Sequence, residues 1–384
     1  MTKISLLRCE RYDQDILNNK IRESLENIGF DLDMLNGKRI AIKPNLLSAS
    51  DPEKAVVTHP EFFRAVLNIV KEAGGMPVLI ESPGQMSLGR VMKKTGYEAL
   101  VAEEGFDVDP IDKTMIIRND KARKFKRFEV IGGLADVDLI INLPKFKTHG
   151  ITYITGAVKN LFGFIPGLSK SQWHLRASTK EEFAEFILDL YGAYLTGFDP
   201  EKPIVHIMDA IVGMDGEGPG AAGNPKRIGA VITGTDAVAV DFIAVNLVGL
   251  AVEKVLTITR GASRGLGVAT FDQIELVGDR MEDFHITDFI PTRSTFRSDQ
   301  MRWPFNTSLF KNLFVEKPRP LPNKCTLCYQ CMQICPAGAI DKASGDAKVP
   351  RYDYNKCIRC YCCQEICPEA AIRVEKNFIQ RFFR

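Results

Sequence analysis

Nine of the chain's ten cysteines lie between residues 325 and 367, and eight of them repeat one spacing. "CTLCYQCMQICP" (325–336) and "CIRCYCCQEICP" (357–368) each read C-x2-C-x2-C-x3-C-P. Three thiolates separated by two residues can converge on one face of a metal cluster, and the fourth reaches elsewhere. In two-cluster ferredoxins the fourth cysteine of each run ligates the other cluster. The expected ligands are therefore Cys325, Cys328, Cys331 and Cys367 for one 4Fe–4S cluster. Cys357, Cys360, Cys363 and Cys335 are expected to hold a second. Zinc prefers four ligands in C-x2-C pairs, which this doubled run fits poorly. Cys362 is skipped by the spacing and reads as a packing residue. The rest of the chain has only Cys9, so a disulfide framework is excluded.

A second set of residues could hold an anion. "KPN" (43–45), "ESPG" (81–84), "NLPKFKTHG" (142–150) and "MDAIVGMDGEGPG" (208–220) each follow a short apolar run. Polar and glycine-rich segments at strand ends are where open α/β sheets bind ligands. Lys145, Lys147 and His149 are spaced by two, which places them on one face of an extended segment. In "TGAVKNLFG" (155–163), Thr155 is a candidate helix cap, with Lys159 and Asn160 one turn on. A helix N-terminus beside lysines suits phosphate or carboxylate. Lys43, Asn45, Lys145, Lys159 and Asn160, with Gly216 and Gly218, are the candidate substrate-binding residues. His149, His59 and Lys147 are the candidate catalytic ones. His174, His206 and His285 are weaker candidates. "GASRGLG" (261–267) lacks the strand–helix setting of a dinucleotide fingerprint, and no G-K-[ST] ending marks a P-loop. A flavin or another cofactor in the large domain is compatible with the sequence.

The elements that must position these residues alternate. "RIAIKPNLL" (39–47), "PVLIESPG" (77–84), "ADVDLIINL" (135–143), "KPIVHIM" (202–208), "RIGAVITGT" (227–235) and "FDQIELVGD" (271–279) read as strands. Helical stretches lie between many of them, among them 60–75 and 178–195, the latter capped by Ser178 or Thr179. Continuously apolar strands with intervening helices predict a mostly parallel, helix-covered α/β sheet. Residues 1–285 form this domain. The proline-punctuated stretch 286–322, with Trp303 and several phenylalanines, reads as a connector packed on it. Residues 323–374 form the double-cluster domain, resembling bacterial ferredoxins. The tail 375–384 is basic and aromatic, and docking on its own protein is favoured over a membrane surface.

The totals exclude broad classes. The 384 residues carry a formal charge of +2, which argues against nucleic-acid binding through a broad basic face. No apolar run is long enough to span a bilayer, and the start lacks a signal-peptide core. A cytoplasmic protein is expected. From 323 to 384 there are 10 lysines and arginines against 6 acidic residues, an excess that offsets cluster charge or attracts an acidic electron donor.

"IKPNLL", "NLPKFKTHGITYITGAVKNLFG" and "DAIVGMDGEGPG" resemble the signatures of the iron–sulfur proteins grouped as domain of unknown function 362. Members commonly carry a C-terminal double 4Fe–4S module. The resemblance spans roughly 35–280 plus the cluster domain and implies fold and clusters more than reaction. A remoter similarity, of fold alone, is to the nickel-dependent lactate racemase group. The leading expectation is a reductase. A ferredoxin-like external donor would supply electrons that pass through the clusters to an anionic small-molecule substrate. The rivals are a non-catalytic electron carrier and a metal or cofactor maturation factor. No motif specifies substrate or oligomeric state.

Overall fold

In the computed structural model, which describes residues 1–84, 86–292, 312 and 315–375, strands and helices alternate through the large domain. The chain runs β1 (Thr2–Arg8), α1 (Gln14–Asn27), β2 (Arg39–Pro44), α2 (Pro60–Glu72), β3 (Met76–Leu79), α3 (Leu88–Thr95) and α4 (Tyr97–Glu104). Then come β4 (Asp107–Val108), the hairpin β5 (Thr114–Arg118) and β6 (Arg127–Ile131), β7 (Leu139–Leu143), β8 (Lys145–His149) and β9 (Tyr153–Thr155). The helices α5 (Ala157–Asn160), α6 (Gly167–Arg176) and α7 (Lys180–Thr196) follow. The large domain closes with β10 (Ile204–Gly216), β11 (Gly223–Gly234), α8 (Ala237–Leu247), α9 (Leu256–Ser263) and β12 (Ile274–Gly278).

Local chemistry sets many of the helix starts. The Asp13 side chain accepts from Ile16 N to cap α1, and Thr179 accepts from Glu182 N to cap α7. In α2, His59 Nδ1 accepts from Glu61 N, with Pro60 at the first helical position.

These strands form a ten-stranded sheet in the order β12-β1-β11-β10-β7-β2-β3-β4, with β8 and β9 extending it beside β10. Neighbours β7, β2, β3 and β4 pair in parallel, as do β10 with β7 and β1 with β12. Side chains alternate between two cores. Ala41, Ile140 and Met208 pack with α5, α7 and α8. Ile40, Ile42, Ile141 and Ile207 pack with α1, α2 and α3. Both faces are covered, which is why the strands read as unbroken apolar runs. The mostly parallel α/β sheet matches expectation. Three pairings differ: β1 with β11 and β8 with β9 are antiparallel, and β10 and β11 form an antiparallel hairpin, Asp215 opposite Asn224. The connection from Gly216 to Gly223 is too short for the crossover that parallel strands require.

The small domain opens with β13 (Lys317–Pro320) and ends with β16 (Ile372–Glu375), which pair antiparallel. Between them lie α10 (Gln330–Ile334), β14 (Ile340–Asp341), β15 (Arg351–Tyr352) and α11 (Cys362–Ile366). The β13–β16 pairing puts residues 317–320 in the small domain, which the expected boundary at 323 left in the connector. Near the connector's start, Gly216 N donates to Ile290 O at 2.8 Å, and Phe289 packs on Phe146. Most of that connector and the tail beyond 375 lie outside the described residues, including Trp303. Among the described residues no helix is long and apolar enough to cross a membrane.

One buried carboxylate ties the outer hairpin loop to the helical layer. Asp189 of α7 is fully buried and accepts from Arg123 N, Lys124 N and Phe125 N, each at 2.9 Å. Arg264 supplies its countercharge at 2.5 Å. Asp189→Ala leaves three amides unpaired and takes one of two carboxylates from Arg264, which keeps Glu185 Oε2 at 2.8 Å. It is expected to cost about 3–5 kcal/mol, read in urea unfolding followed by circular dichroism. A loss below about 1 kcal/mol would show that the loop is held by other contacts.

Candidate functional site

The strand ends carry an unusual load of buried cations. Lys43, Lys145 and Lys147 are all 0% exposed. Each is an isolated desolvation problem, and each is answered differently. Lys43 Nζ donates to Glu81 Oε2 at 2.6 Å. Lys145 Nζ donates to Asp209 Oδ2 and to the Tyr12 hydroxyl, both at 2.8 Å. Lys147 has no carboxylate within ion-pair distance among the described residues. Its Nζ donates to Asn45 Oδ1 at 2.8 Å and Val56 O at 2.7 Å. Burial, reinforced by Lys159 and Lys145, holds Lys147 well below the ordinary lysine range. From Asn45 the network continues through Asn160 and Asn142 to His206, with steps of 2.8, 2.8 and 2.9 Å. His206 is pushed down to about 3 by burial and is neutral.

Beside this network lies a chamber of about 110 Å³ between the two domains. The large domain contributes Asn45, Glu81, His149, Lys159, Asn160 and, from α6, Lys170 and His174. The small domain contributes Ile334, Cys362, Glu365 and Ile366. Lys159 Nζ meets no hydrogen-bond acceptor among the described residues. Burial lowers its pKa, and Glu365 and Cys362 oppose that shift. Lys170 is lowered to about 7 by burial, opposed by Glu81, and its ammonium donates to Ser82 O. Burial also drives His174 to about 3, and drives His149 well below the usual imidazole range with help from Lys159. His149 Nδ1 accepts from Ile151 N at 3.0 Å, which leaves the proton on Nε2. That nitrogen lies 3.3 Å from Glu365 Oε1. The contact lacks hydrogen-bond alignment, so Glu365 Oε1 is buried and unsatisfied among the described residues. The chamber thus offers one unanswered ammonium, one titrating near neutrality and one unanswered carboxylate oxygen. An ammonium without an acceptor is a place for an anion's oxygen.

The small domain's thiols fall into two groups. Cys325, Cys328, Cys331 and Cys367 line one small cavity. Cys335 feels the charge of Cys360 and Cys357, and Cys363 that of Cys360, Cys357, Cys331 and Cys335. The two motifs share backbone detail. Leu327 and Tyr329 match Arg359 and Tyr361 in positive φ, from 56° to 64°. Ala339 N donates to Cys335 Sγ and Ala371 N to Cys367 Sγ, each at 3.3 Å. Burial and mutual repulsion push thiols such as Cys331 and Cys363 up, a strain that cationic iron relieves. The donor set fits the groups its spacing implies.

The glycine-rich loop joins the two domains. Gln364 Nε2 donates to Glu217 O at 2.8 Å. A side chain on Gly220 would collide with the backbone oxygen of Glu365, so only glycine admits α11 here.

Of the candidate residues, His149, Asn45, Lys159 and Asn160 line the chamber. Lys43 and Lys147 stand behind it, touching its lining through Glu81 and Asn45. Lys145 and His59 belong to a separate cluster around Asp209, where the imidazole stacks on Tyr12 at 3.7 Å between centroids. Gly216 and Gly218 do not line the chamber; the first closes the β10–β11 hairpin with φ 69° and the second packs on Thr148. The helix N-terminus after Thr155 is not open to an anion. Gly156 is the cap position, and Asp241 accepts from Ala157 N and Val158 N. Glu365, Lys170 and Cys362 were not singled out as site residues. Aligning the cysteine motifs exposes two of them: Cys362 and Glu365 stand where the first copy has Gln330 and Gln333.

The chain belongs to the family described as domain of unknown function DUF362, which matches residues 40–246. A 4Fe-4S dicluster domain matches residues 317–368, so the small domain is a ferredoxin-like iron–sulfur module. The thylakoid-associated protein sll1697 of Synechocystis is 31% identical over 249 residues, 64% of this chain and 74% of that one. Among solved structures, the lactate racemase apoprotein of Thermoanaerobacterium thermosaccharolyticum aligns at a TM-score of 0.40 and 18% identity, over 63% of this chain. A Thermotoga maritima protein aligns at 0.38 and 14%, over 60%. The chain spans 57% of the length of each of these two structures.

The Lys43–Glu81 pair is held tightly by its surroundings. A Cβ on Gly163 would meet Lys43 Nζ and would lie 2.7 Å from Glu81 Oε1. Gly163→Ala is therefore expected to destabilise the protein by about 1–3 kcal/mol in urea unfolding, with the cluster absorbance unchanged. Stability equal to the parent's would mean that the pair has room to move.

Proposed function

We propose that the chain is an iron–sulfur oxidoreductase that reduces a small anionic molecule in the chamber between its domains. One observation carries the reading: α11, which lies inside the second cysteine motif, is also a wall of that chamber. Two 4Fe–4S clusters are assigned, one to Cys325, Cys328, Cys331 and Cys367, the other to Cys357, Cys360, Cys363 and Cys335. When bound, they supply single electrons drawn from an external donor. Cys328 is exposed, so the first group is the entry side and the second adjoins the chamber. Each substrate molecule takes up two electrons, one at a time, and two protons. Lys159 holds the anion and offsets the negative charge that develops on it. Neutral His149 presents its Nε2 proton as a hydrogen-bond donor. Lys170, titrating near 7, is matched to deliver a proton at neutral pH. Lys43, Lys145 and Lys147 fix the surrounding framework. A pure electron carrier has no use for an unanswered ammonium in a buried chamber.

The cluster assignment predicts about eight iron and eight acid-labile sulfide per chain. Four iron or fewer after full anaerobic reconstitution would sink it. Cys335→Ala should damage the cluster shared with Cys357, Cys360 and Cys363, whereas Cys362→Ala should retain both.

Acetate titrated calorimetrically into holoprotein tests the chamber. Lys159→Ala is expected to weaken it about tenfold or more without altering iron content. Affinity should also depend on pH. Below about 7, Lys170 is already charged and binding is level. Above that value each bound anion must carry in a proton, so affinity falls toward tenfold per pH unit. Equal affinity for parent and Lys159→Ala, with no fall above neutrality, would favour the carrier reading.

A further inference from the structure

A second cavity adjoins the chamber. Ser82, Pro83 and Gly84 line both. The outer one measures about 600 Å³, and its other walls include Met86, Leu88, Met92, Val108 and Ile111. The two spaces differ in chemistry as much as in size. The inner holds the cations and histidines. The outer is mostly aliphatic and thioether surface, with Asp109 its carboxylate, whose Oδ1 already accepts from Ile111 N at 2.8 Å. Helix α6 runs along both, Gly167 bordering the outer cavity and Lys170 the inner. Ser82 O takes the Lys170 ammonium at the boundary.

We infer that the substrate is an amphiphilic carboxylate, its carboxyl in the inner chamber and its apolar body in the outer cavity. The inference rests on the anion-site reading given above and specifies the molecule. Size is the first argument. The inner chamber is much the smaller of the two spaces, about 110 Å³ against about 600 Å³. A larger substrate has to continue elsewhere, and the neighbouring space is the outer cavity. Charge is the second argument. Lys159 and a partly charged Lys170 face the opposing carboxylate of Glu365, so the balance suits a monoanion better than a phosphate dianion. Apolar lining is the third: methionine side chains adapt to varied hydrocarbon shapes.

Straight-chain carboxylates from acetate to octanoate, titrated into holoprotein, test this. Affinity is expected to rise about fourfold for each methylene that enters the outer cavity. Gly89 borders only the outer cavity, lies in the first turn of α3, and a Cβ there meets nothing within 4 Å. Gly89→Asp should therefore fold normally and put a carboxylate against the chain. It should remove most of the gain for octanoate and leave acetate unchanged. Met86→Asp repeats the test from the opposite side of Ser87. Octanoate binding no tighter than acetate, or a gain that survives both variants, overturns the inference. Lys159→Ala separates the two readings. If it weakens acetate while chain length has no effect, the anion site stands and the amphiphile does not. If it spares every ligand while the Gly89 effect persists, the outer cavity stands and the head-group site does not.

Discussion

The large domain is organised around the cost of burying ammonium groups. Moving an unpaired lysine into a protein interior is penalised by several kcal/mol, and three lysines at the strand ends are fully buried. Their partners are therefore the contacts that fix the site. Asp209 accepts from Lys145, from the Tyr12 hydroxyl and from His59 N. It thereby joins the segment before α1, the start of α2, β8 and β10. Glu81 answers Lys43 and pins the end of β3 to the end of β2. Lys147 is answered only by neutral oxygens, and Asn45, its acceptor, is held in turn by Asn160. With that framework rigid, Lys159 Nζ and His149 Nε2 can be left without hydrogen-bond partners at its edge among the described residues. A loose framework would let them find partners.

The second constraint is the docking of the cysteine motif. Two-cluster modules can stand alone as electron carriers, but here one face of α11 is consumed by the large domain. Gln364 bonds the loop carbonyl of Glu217, and Gly220 makes room for the α11 backbone. Cys362 and Glu365 are one helical turn apart, so both face the chamber, while Cys363 turns inward to its own group. The arrangement separates the two thiol sets by environment. The first includes the exposed Cys328, and the second lies against the polar chamber.

The parts legible in the sequence are those set by local rules. The cysteine spacing is imposed by metal geometry and the continuous apolar strands by burial on both faces, and each reads directly. Thr179 as a cap is equally local. The antiparallel β10–β11 hairpin was hidden because the loop between the strands looks like a ligand-binding glycine run. Its glycines serve the hairpin and the domain contact instead. Asp241, far along the chain, satisfies the helix start that Thr155 and Lys159 suggested for an anion. That pairing is tertiary, and no window of sequence contains it. Lys170 and His174 sit on an unremarkable helix and acquire their perturbed acidities from burial first and from neighbouring lysines second. Glu365 had a weaker signal: it is one of the positions at which the two motifs differ.

That divergence also bears on what the repeated motif is for. A duplicated cluster-binding run needs the cysteines, the positive-φ residues and the prolines, and both copies keep them. Gln330, Met332 and Gln333 in the first copy become Cys362, Gln364 and Glu365 in the second. All three replacements meet the large domain or the chamber, through Cys362 and Glu365 at its wall and Gln364 at Glu217. None is needed to hold iron. Outside the helix Thr326 and Leu327 also become Ile358 and Arg359, but the replacements within it all meet the large domain or the chamber, which fits a module shaped to a fixed internal site. A module meeting exchangeable partners would place its specialised residues on its open surface. Here they lie on the side turned toward Lys159 and His149.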